Sequence, residues 1–299
     1  MKSLFIEFVR AIQRSSVRQQ MNGQSLPNDV DVIYDINYAN DKNKRHVLDI
    51  IRPKDNNEKL PVIVSFHGGA FVGGEKWYNL EHSMKLSREG FVFINVEYTR
   101  VPEKDLFGVV RDGFLSLKWI KENAEKYNYD LSRLSLIGDS AGSWLIMLIA
   151  LVNKHKHLQA IYNVEPLDLE FKSLGLISPV ADIEKAMKAP CHIFWFKPYV
   201  YKFGSKRRHP YNMTSIQDIL KDNDLPPCYI LTSKGDSYYY SFSLDLKNLF
   251  NKVKQKFVYD EYENGERILE HCFNIMHPDY PESIESNNKL LNFIKSSFN

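Results

Sequence analysis

The fold is decided by residues 134–148, which read LSLIGDSAGSWLIML. An apolar, β-prone run leads into Gly138-Asp139-Ser140-Ala141-Gly142, and a helix-like apolar run follows without a break. Glycines two residues on either side of Ser140 permit a tight turn, because a β-carbon at either place would meet the neighbouring strand or helix. The pattern predicts a strand, a sharp turn that exposes the Ser140 hydroxyl, and a helix with unpaired first N–H groups.

Strand and helix patterns alternate on both sides of this stretch. Strands are predicted at residues 32–38, 46–51, 62–66, 91–96, 133–137, 171–177, 228–232 and 257–262. The first two form an antiparallel hairpin, and the others alternate with amphipathic helices, as in an α/β fold with a mostly parallel sheet and helices on both faces. We expect one domain over residues 1–299, with a ligand site beyond the carboxyl ends of the strands.

Composition excludes several classes of protein. Lys and Arg number 39 against 37 Asp and Glu, a net charge of +2, so no global field favours nucleic acid. The three cysteines (Cys191, Cys228 and Cys272) are widely spaced, which argues against a disulfide framework or a zinc site and fits a reducing cytoplasm. Glu7 and Arg10 interrupt the apolar start expected of a secretory signal. We expect a cytoplasmic protein without stable membrane insertion.

Two segments are candidates for a lid over the site. Residues 4–20 have helical periodicity, with apolar residues on one side and arginines spaced by four on another, and we expect this helix to pack on its own protein; a membrane surface is the alternative. The insertion at 181–225 is rich in aromatic and basic residues, and Trp195, Phe196 and Tyr199 are predicted to line a pocket. A helix pair packed on the sheet and a nucleic-acid patch are the alternatives.

A serine nucleophile needs a base to take its proton and an acid to orient that base. After Ser140, Asp236 follows the strand 228–232, and His271 follows the strand 257–262. Both would lie in loops at the carboxyl ends of strands, in the chain order serine, acid, histidine. The competing base is His277, and the competing acids are Glu270 and Asp245.

A glycine-rich loop follows the strand 62–66 and reads His67-Gly68-Gly69-Ala70-Phe71-Val72-Gly73-Gly74. Its backbone N–H groups can turn toward a substrate oxygen and stabilise the negative charge of a tetrahedral intermediate. A phosphate-binding loop is the competing interpretation, but the sequence has no Gly-x-Gly-x-x-Gly or Gly-Lys-Ser/Thr pattern here.

With both glycine motifs in place, the chain from about Val47 to the C-terminus resembles the hormone-sensitive-lipase-like branch of the α/β-hydrolase family, the bacterial esterases of His-Gly-Gly-Gly type. The resemblance is carried by His67-Gly68-Gly69-Ala70-Phe71, Glu97-Tyr98-Thr99-Arg100, Asp112, Trp119 and Gly138-Asp139-Ser140-Ala141-Gly142. It implies Ser140 as nucleophile, Asp236 as acid and His271 as base. It also implies a lid made of residues 1–25 and 181–225 together.

The same resemblance implies an oxyanion hole made by Gly68, Gly69 and the N–H of Ala141, with Ala70 in place of the third glycine. An alanine keeps its N–H, so this change costs little unless the backbone needs a positive φ. Two further departures are Cys272 after the histidine, where the family has glycine, and Ser237 after the acid, where it has a hydrophobic residue or proline.

The residues and the resemblance together predict a serine carboxylesterase that hydrolyses short-chain acyl esters without a cofactor or metal. The predicted substrate is a small-molecule ester, such as an acetylated sugar, since aromatic rings suit stacking on a sugar. The alternatives are an amidase or peptidase with the same triad and a non-catalytic receptor on a hydrolase fold. The sequence leaves open whether two copies form a homodimer.

Overall fold

The apolar runs of the sequence form one eight-stranded sheet in a computed structural model that describes residues 2–188, 215–221 and 224–298. The strands are β1 (Val30–Asn37), β2 (Val47–Pro53), β3 (Leu60–Phe66), β4 (Val92–Val96), β5 (Tyr129–Asp139), β6 (Leu174–Ile177), β7 (Cys228–Ser233) and β8 (Phe257–Tyr262). Their spatial order is β1-β2-β4-β3-β5-β6-β7-β8. β2 is antiparallel to β1 and β4, and the other neighbours are parallel. The predicted α/β class and hairpin are confirmed.

The helices of the described residues are α1 (Lys2–Gln20), α2 (Leu80–Ser87), α3 (Leu106–Glu122), α4 (Ala141–Lys154), α5 (Lys156–Tyr162), α6 (Ile183–Lys188), α7 (Ile216–Ile219), α8 (Tyr240–Lys252), α9 (Phe273–Met276) and α10 (Pro281–Ser296). A short 3-10 helix, Lys76–Asn79, precedes α2. Within these ranges no helix is long and apolar enough to cross a membrane.

The sheet separates two hydrophobic cores, because successive side chains of a strand point to opposite faces. Val62 and Val64 of β3 lie in the larger core, together with α3 and α4, whereas Ile63 lies in the smaller core with α10. All of β3 is buried, which explains why its sequence is continuously apolar rather than alternating.

Two helix ends are set by turns. α3 ends at Glu122, where Asn123 begins the following turn. His155 separates α4 from the short helix α5.

The orientation of α1 is the reverse of what its apolar stripe favours. The prediction that the helix packs on its own protein is confirmed, yet Leu4, Phe8 and Ile12 are exposed while Arg10 is buried. Arg10 is held by Glu7 and Glu103, so its charge is paired inside the protein. The apolar side of α1 instead lines the cavity of the candidate site.

Candidate active site

Ser140 occupies the sharp turn between β5 and α4. Its backbone has φ 51° and ψ −115°, a conformation that costs an L-residue roughly 1–3 kcal/mol. A β-carbon on Gly138 would lie 2.4 Å from the carbonyl carbon of Gly142, and one on Gly142 would lie 2.0 Å from the carbonyl oxygen of Phe66. The two glycines are therefore required by close backbone packing, as the sequence predicts.

Asp236 and His271 form a short hydrogen bond at the neighbouring strand ends. His271 Nδ1 lies 2.6 Å from Asp236 Oδ2, and Asp236 is 3% exposed. The other carboxylate oxygen, Oδ1, accepts the Tyr239 N–H at 3.1 Å, which fixes the orientation of the acid. The Tyr239 ring packs on the imidazole, with ring centres 4.3 Å apart. This pairing places the proton on Nδ1 and leaves Nε2 of His271 available as a base.

Ser140, Asp236 and His271 line one cavity of about 780 Å³. In the described part of the chain, no hydrogen bond within 3.5 Å joins Ser140 to His271. Hydrogen bonds between a nucleophile and its base are often longer before substrate binds. The structure thus brings the three predicted residues to one cavity, and their roles stay a prediction.

The glycine loop offers fewer free donors than predicted. The Gly68 N–H donates to Asp139 Oδ2 at 2.9 Å, so it holds the loop in place and is not free for a substrate oxygen. Among the described residues, the N–H groups of Gly69 and Ala70 donate to no other atom. Ala141 begins α4, where the first N–H groups have no partner within the helix. Gly69, Ala70 and Ala141 are therefore the candidate donors.

Both positions where the chain lacks an expected glycine have left-handed backbone. Ala70 has φ 54° and Cys272 has φ 57°, and Phe71 beside Ala70 has φ 64°. Alanine in place of glycine at position 70 is therefore costly, because an L-residue with positive φ is less stable by roughly 1–2 kcal/mol. Cys272 donates its N–H to Ser178 Oγ at 3.1 Å, and burial raises the pKa of its thiol well above its usual range. This thiol is not a competing nucleophile.

Asp139 connects the serine turn to the glycine loop, a role that the sequence analysis missed. It is buried, and its second oxygen, Oδ1, accepts from the Asn79 side-chain amide at 2.8 Å. Burial raises the pKa of its carboxyl. The position of Asp139 inside the Gly-x-Ser-x-Gly motif is the sequence signal that could have identified it. The residues around Asn79 carry no such signal.

The wall of the cavity is mainly apolar. It includes Phe8, Val9 and Ile12 of α1, together with Tyr78, whose buried hydroxyl has no hydrogen-bond partner among the described residues. The predicted pocket residues Trp195, Phe196 and Tyr199 lie outside the described residues, as does most of the predicted lid at 181–225.

The competing bases and acids do not form a comparable pair. His277 also lines the cavity, but it stacks on Tyr280 with ring centres 4.6 Å apart, and burial lowers the pKa of its imidazole. No carboxylate of the described residues hydrogen-bonds to it. Asp245 pairs with Lys185 on the surface of α8. Asp236 and His271 are the better candidates.

The BD-FAE family model matches residues 48–187, a range that includes the glycine loop and the serine turn and ends before Asp236 and His271. Esterase LipI of Mycobacterium tuberculosis is 29% identical over 96 residues, 31% of this chain and 29% of its own length. Carboxylesterase NlhH of the same organism is 30% identical over 94 residues, 31% of this chain and 30% of its own length. The chain thus spans about a third of the length of these curated relatives.

The likeness to solved structures extends over almost the whole chain. Esterase B of Lactobacillus rhamnosis superposes with a TM-score of 0.92 at 24% identity, over 98% of this chain and 94% of esterase B. At that identity the likeness shows the fold alone. The chain therefore has the α/β-hydrolase fold, and its residues 48–187 are similar to the BD-FAE family.

Proposed function

We propose that this protein is a serine carboxylesterase. The observation that carries the proposal is the convergence of three features at one cavity: the sharp turn at Ser140, the hydrogen-bonded pair of Asp236 and His271, and free backbone N–H groups on two sides. Such a cavity supplies a nucleophile, a base with an oriented imidazole, and donors for an oxyanion. These are the requirements of acyl transfer to water.

In the proposed reaction, His271 Nε2 takes the hydroxyl proton of Ser140 as the serine oxygen attacks the ester carbonyl. The N–H groups of Gly69, Ala70 and Ala141 stabilise the resulting oxyanion. The imidazolium then gives its proton to the leaving alcohol, and the acyl group stays on Ser140. His271 takes a proton from water as the water oxygen attacks the acyl-enzyme, and it then gives this proton to the Ser140 oxygen as the bond to the acyl group breaks and the carboxylic acid leaves. The Asp236 carboxylate accepts from Nδ1–H of His271 and stabilises the imidazolium.

The substrate we propose is a small neutral ester with a short acyl chain. The apolar wall formed by α1 favours uncharged groups, and the cavity of about 780 Å³ suits a small molecule. Esterase B, which shares this fold, has been solved with a tributyrin phosphonate inhibitor. An acetylated sugar remains a proposal based on Trp195, Phe196 and Tyr199, which are outside the described residues.

The first experiment compares the wild-type protein with Ser140→Ala on a series of p-nitrophenyl esters from acetate to laurate. We expect kcat/KM to fall at least about 1000-fold in the variant, because loss of the nucleophile removes the acyl-enzyme route. Retention of full ester hydrolysis by the variant would contradict the assignment of Ser140. Ser241→Ala, at an exposed serine of α8 that does not line the cavity, is the matched control for a lost hydroxyl.

Two further measurements separate the alternatives. A matched anilide series would show faster amide cleavage if the protein were an amidase or peptidase. A fluorophosphonate should label Ser140 covalently, whereas a receptor with an inert site would take up none. A preference for long-chain triglyceride emulsions would contradict the short-chain proposal.

A further inference from the structure

The glycine loop at residues 67–74 needs external support. Gly69, Ala70 and Phe71 are three consecutive residues with positive φ, and two of them carry a β-carbon. Since this backbone region is strained for the two residues that carry a β-carbon, the loop keeps this shape only where other contacts fix it. The directions of the Gly69 and Ala70 N–H groups depend on these same torsions.

One set of contacts comes from the segment after β4. The Tyr98 hydroxyl donates to the carbonyl of His67 at 2.6 Å, and the Val101 N–H donates to the carbonyl of Phe71 at 2.9 Å. Arg100 Nη1 donates to the carbonyl of Gly74 at 2.5 Å. These bonds fix the carbonyls on one side of the loop.

A second set comes from α1, through Arg10. Its Nε donates to the carbonyl of Val72 at 2.8 Å, and its Nη2 donates to the carbonyl of Val101 at 3.1 Å. Glu103 accepts from both terminal nitrogens, each at 2.7 Å, and holds the guanidinium in place. Arg10 is only 1% exposed. A guanidinium is required for this arrangement, because a lysine cannot present several donors in a fixed plane.

Gln13, one turn further along α1, contacts the end of the same loop. Its Oε1 accepts the Gly74 N–H at 3.2 Å. A β-carbon on Gly73 would lie 1.5 Å from that oxygen, so Gly73 leaves the space that the Gln13 amide fills. Arg10 and Gln13 thus hold both sides of the last three residues of the loop.

We propose that Arg10 and Gln13 are positioning residues for the oxyanion donors, so that α1 sets the catalytic competence of the site. The inference rests on the proposed esterase function. Loss of these contacts would let the strained loop relax and turn the Gly69 and Ala70 N–H groups away from the substrate oxygen. Phe8, Val9 and Ile12 of the same helix line the cavity. A single helix therefore contacts the ester and also positions the N–H groups that bind its oxyanion.

The test measures kcat and KM on p-nitrophenyl butyrate for Arg10→Met, Arg10→Lys, Gln13→Ala and Gly73→Ala in the full chain. We expect kcat to fall about 10- to 100-fold in Arg10→Met, with KM changed less than about threefold, since oxyanion donors act in the transition state. Arg10→Lys should recover only part of the loss. Arg18→Met, on the exposed surface of α1 beside Trp77, is the matched control and should leave both constants unchanged.

The second measurement is the affinity for a trifluoromethyl ketone, whose hemiketal oxyanion mimics the tetrahedral intermediate. A variant that is merely less stable but still folded should bind this ketone as the wild type does. The affinity for the ketone should fall in parallel with kcat across the four variants. Gln13→Ala and Gly73→Ala keep Arg10 intact, so they decide the question even if Arg10→Met does not fold. Variants that fold, bind the ketone as tightly as wild type and keep kcat would overturn the proposal.

Amide hydrogen exchange separates this inference from the proposed function. In a Ser140→Ala background, Gln13→Ala should speed exchange at Gly74, whose N–H then lacks its acceptor, and Arg10→Met should speed exchange across residues 68–74. Unchanged exchange would overturn the positioning role whatever the activity. If the wild-type protein hydrolysed no ester but amide exchange were still faster in the variants, the esterase assignment would be refuted and the loop contacts would be established.

Discussion

The serine turn and the glycine loop face the same cavity, yet they are held in different ways. The turn at residues 138–142 is fixed by close backbone packing, within the turn at Gly138 and against the end of β3 at Gly142. The loop at 67–74 also has a close backbone approach between Gly69 and Gly74, but it depends in addition on hydrogen bonds from the side chains of Arg10, Gln13 and Asp139. Steric fit gives the nucleophile a rigid site, whereas the directions of the donors depend on side chains of other segments.

The largest loss of stability and activity is expected at Gly142, where the turn has no space for a side chain. Gly142→Ala puts a β-carbon 2.0 Å from the Phe66 carbonyl oxygen, against backbone that cannot move away easily. We expect it to lower the free energy of unfolding by about 3 kcal/mol or more and to abolish ester hydrolysis. Urea denaturation followed by circular dichroism measures the first, and p-nitrophenyl butyrate hydrolysis the second.

Gly265→Ala is the matched control, because a β-carbon there meets nothing within 4 Å. Its stability and activity should stay close to those of the wild type. If Gly142→Ala were as well tolerated as Gly265→Ala, the turn would not be fixed by backbone packing, and the contrast with the glycine loop would fail.

An intermediate effect is expected at Asp139, which joins the two regions. Asp139→Asn keeps the size of the side chain but presents an amide where a carboxylate accepts from Gly68 and Asn79. We expect kcat to fall about tenfold, since the loop loses one fixed anchor while the serine turn stays intact. Steady-state kinetics on the same ester measure this loss, and an unchanged kcat would show that the loop does not need the anchor.

We also expect the unfolding free energy of Asp139→Asn to depend on pH differently from that of the wild type. Burial raises the pKa of the Asp139 carboxyl, so its folded-state pKa lies above the unfolded value near 3.8. Such a group favours folding below the unfolded pKa, and this contribution is lost as pH rises through the folded pKa. Relative to wild type, Asp139→Asn should therefore gain stability as pH rises from below 4 to 7. A constant difference between the two urea midpoints would contradict this.

The smallest effect is expected at Ala70. Glycine adopts φ 54° without strain, so Ala70→Gly relieves the loop, but it also gives the unfolded chain more freedom. The two terms oppose each other, and we expect a change in unfolding free energy within about 1 kcal/mol and an unchanged KM. Thermal unfolding followed by circular dichroism measures this change in stability. Ala39→Gly is the control at an alanine outside the loop, and a large stabilisation confined to Ala70→Gly would show that the strain is greater than the hydrogen bonds imply.

The strand ends were predictable because buried strands leave continuous apolar runs. The apolar runs before Ser140 and Asp236 indicate two of the loops that meet at the carboxyl edge. The strand before His271, β8, is only partly buried and includes Asp260 and Glu261, yet the pair of Asp236 and His271 lies where the alternation of strands and loops placed it. The glycines around Ser140 were equally informative, since a turn that tight excludes a β-carbon.

The orientation of α1 was not predictable from its pattern. An apolar stripe normally faces the core, but here Arg10 faces inward and Phe8 does not. The inward arginine is stabilised by Glu103 and by two backbone carbonyls that come from distant segments. No local periodicity reports such partners.

The amino-acid pattern predicts the strands, the turn that carries Ser140, and the loops that carry Asp236 and His271, because burial periodicity and turn-forming residues are visible within short stretches of sequence. Which N–H groups stay free, and why Ala70 and Cys272 adopt left-handed backbone, follows from contacts of the folded chain. Those outcomes depend on hydrogen bonds between residues 62 to 94 positions apart in the chain, such as Arg10 to Val72, Gly68 to Asp139 and Cys272 to Ser178. Such partners meet only when the sheet has assembled.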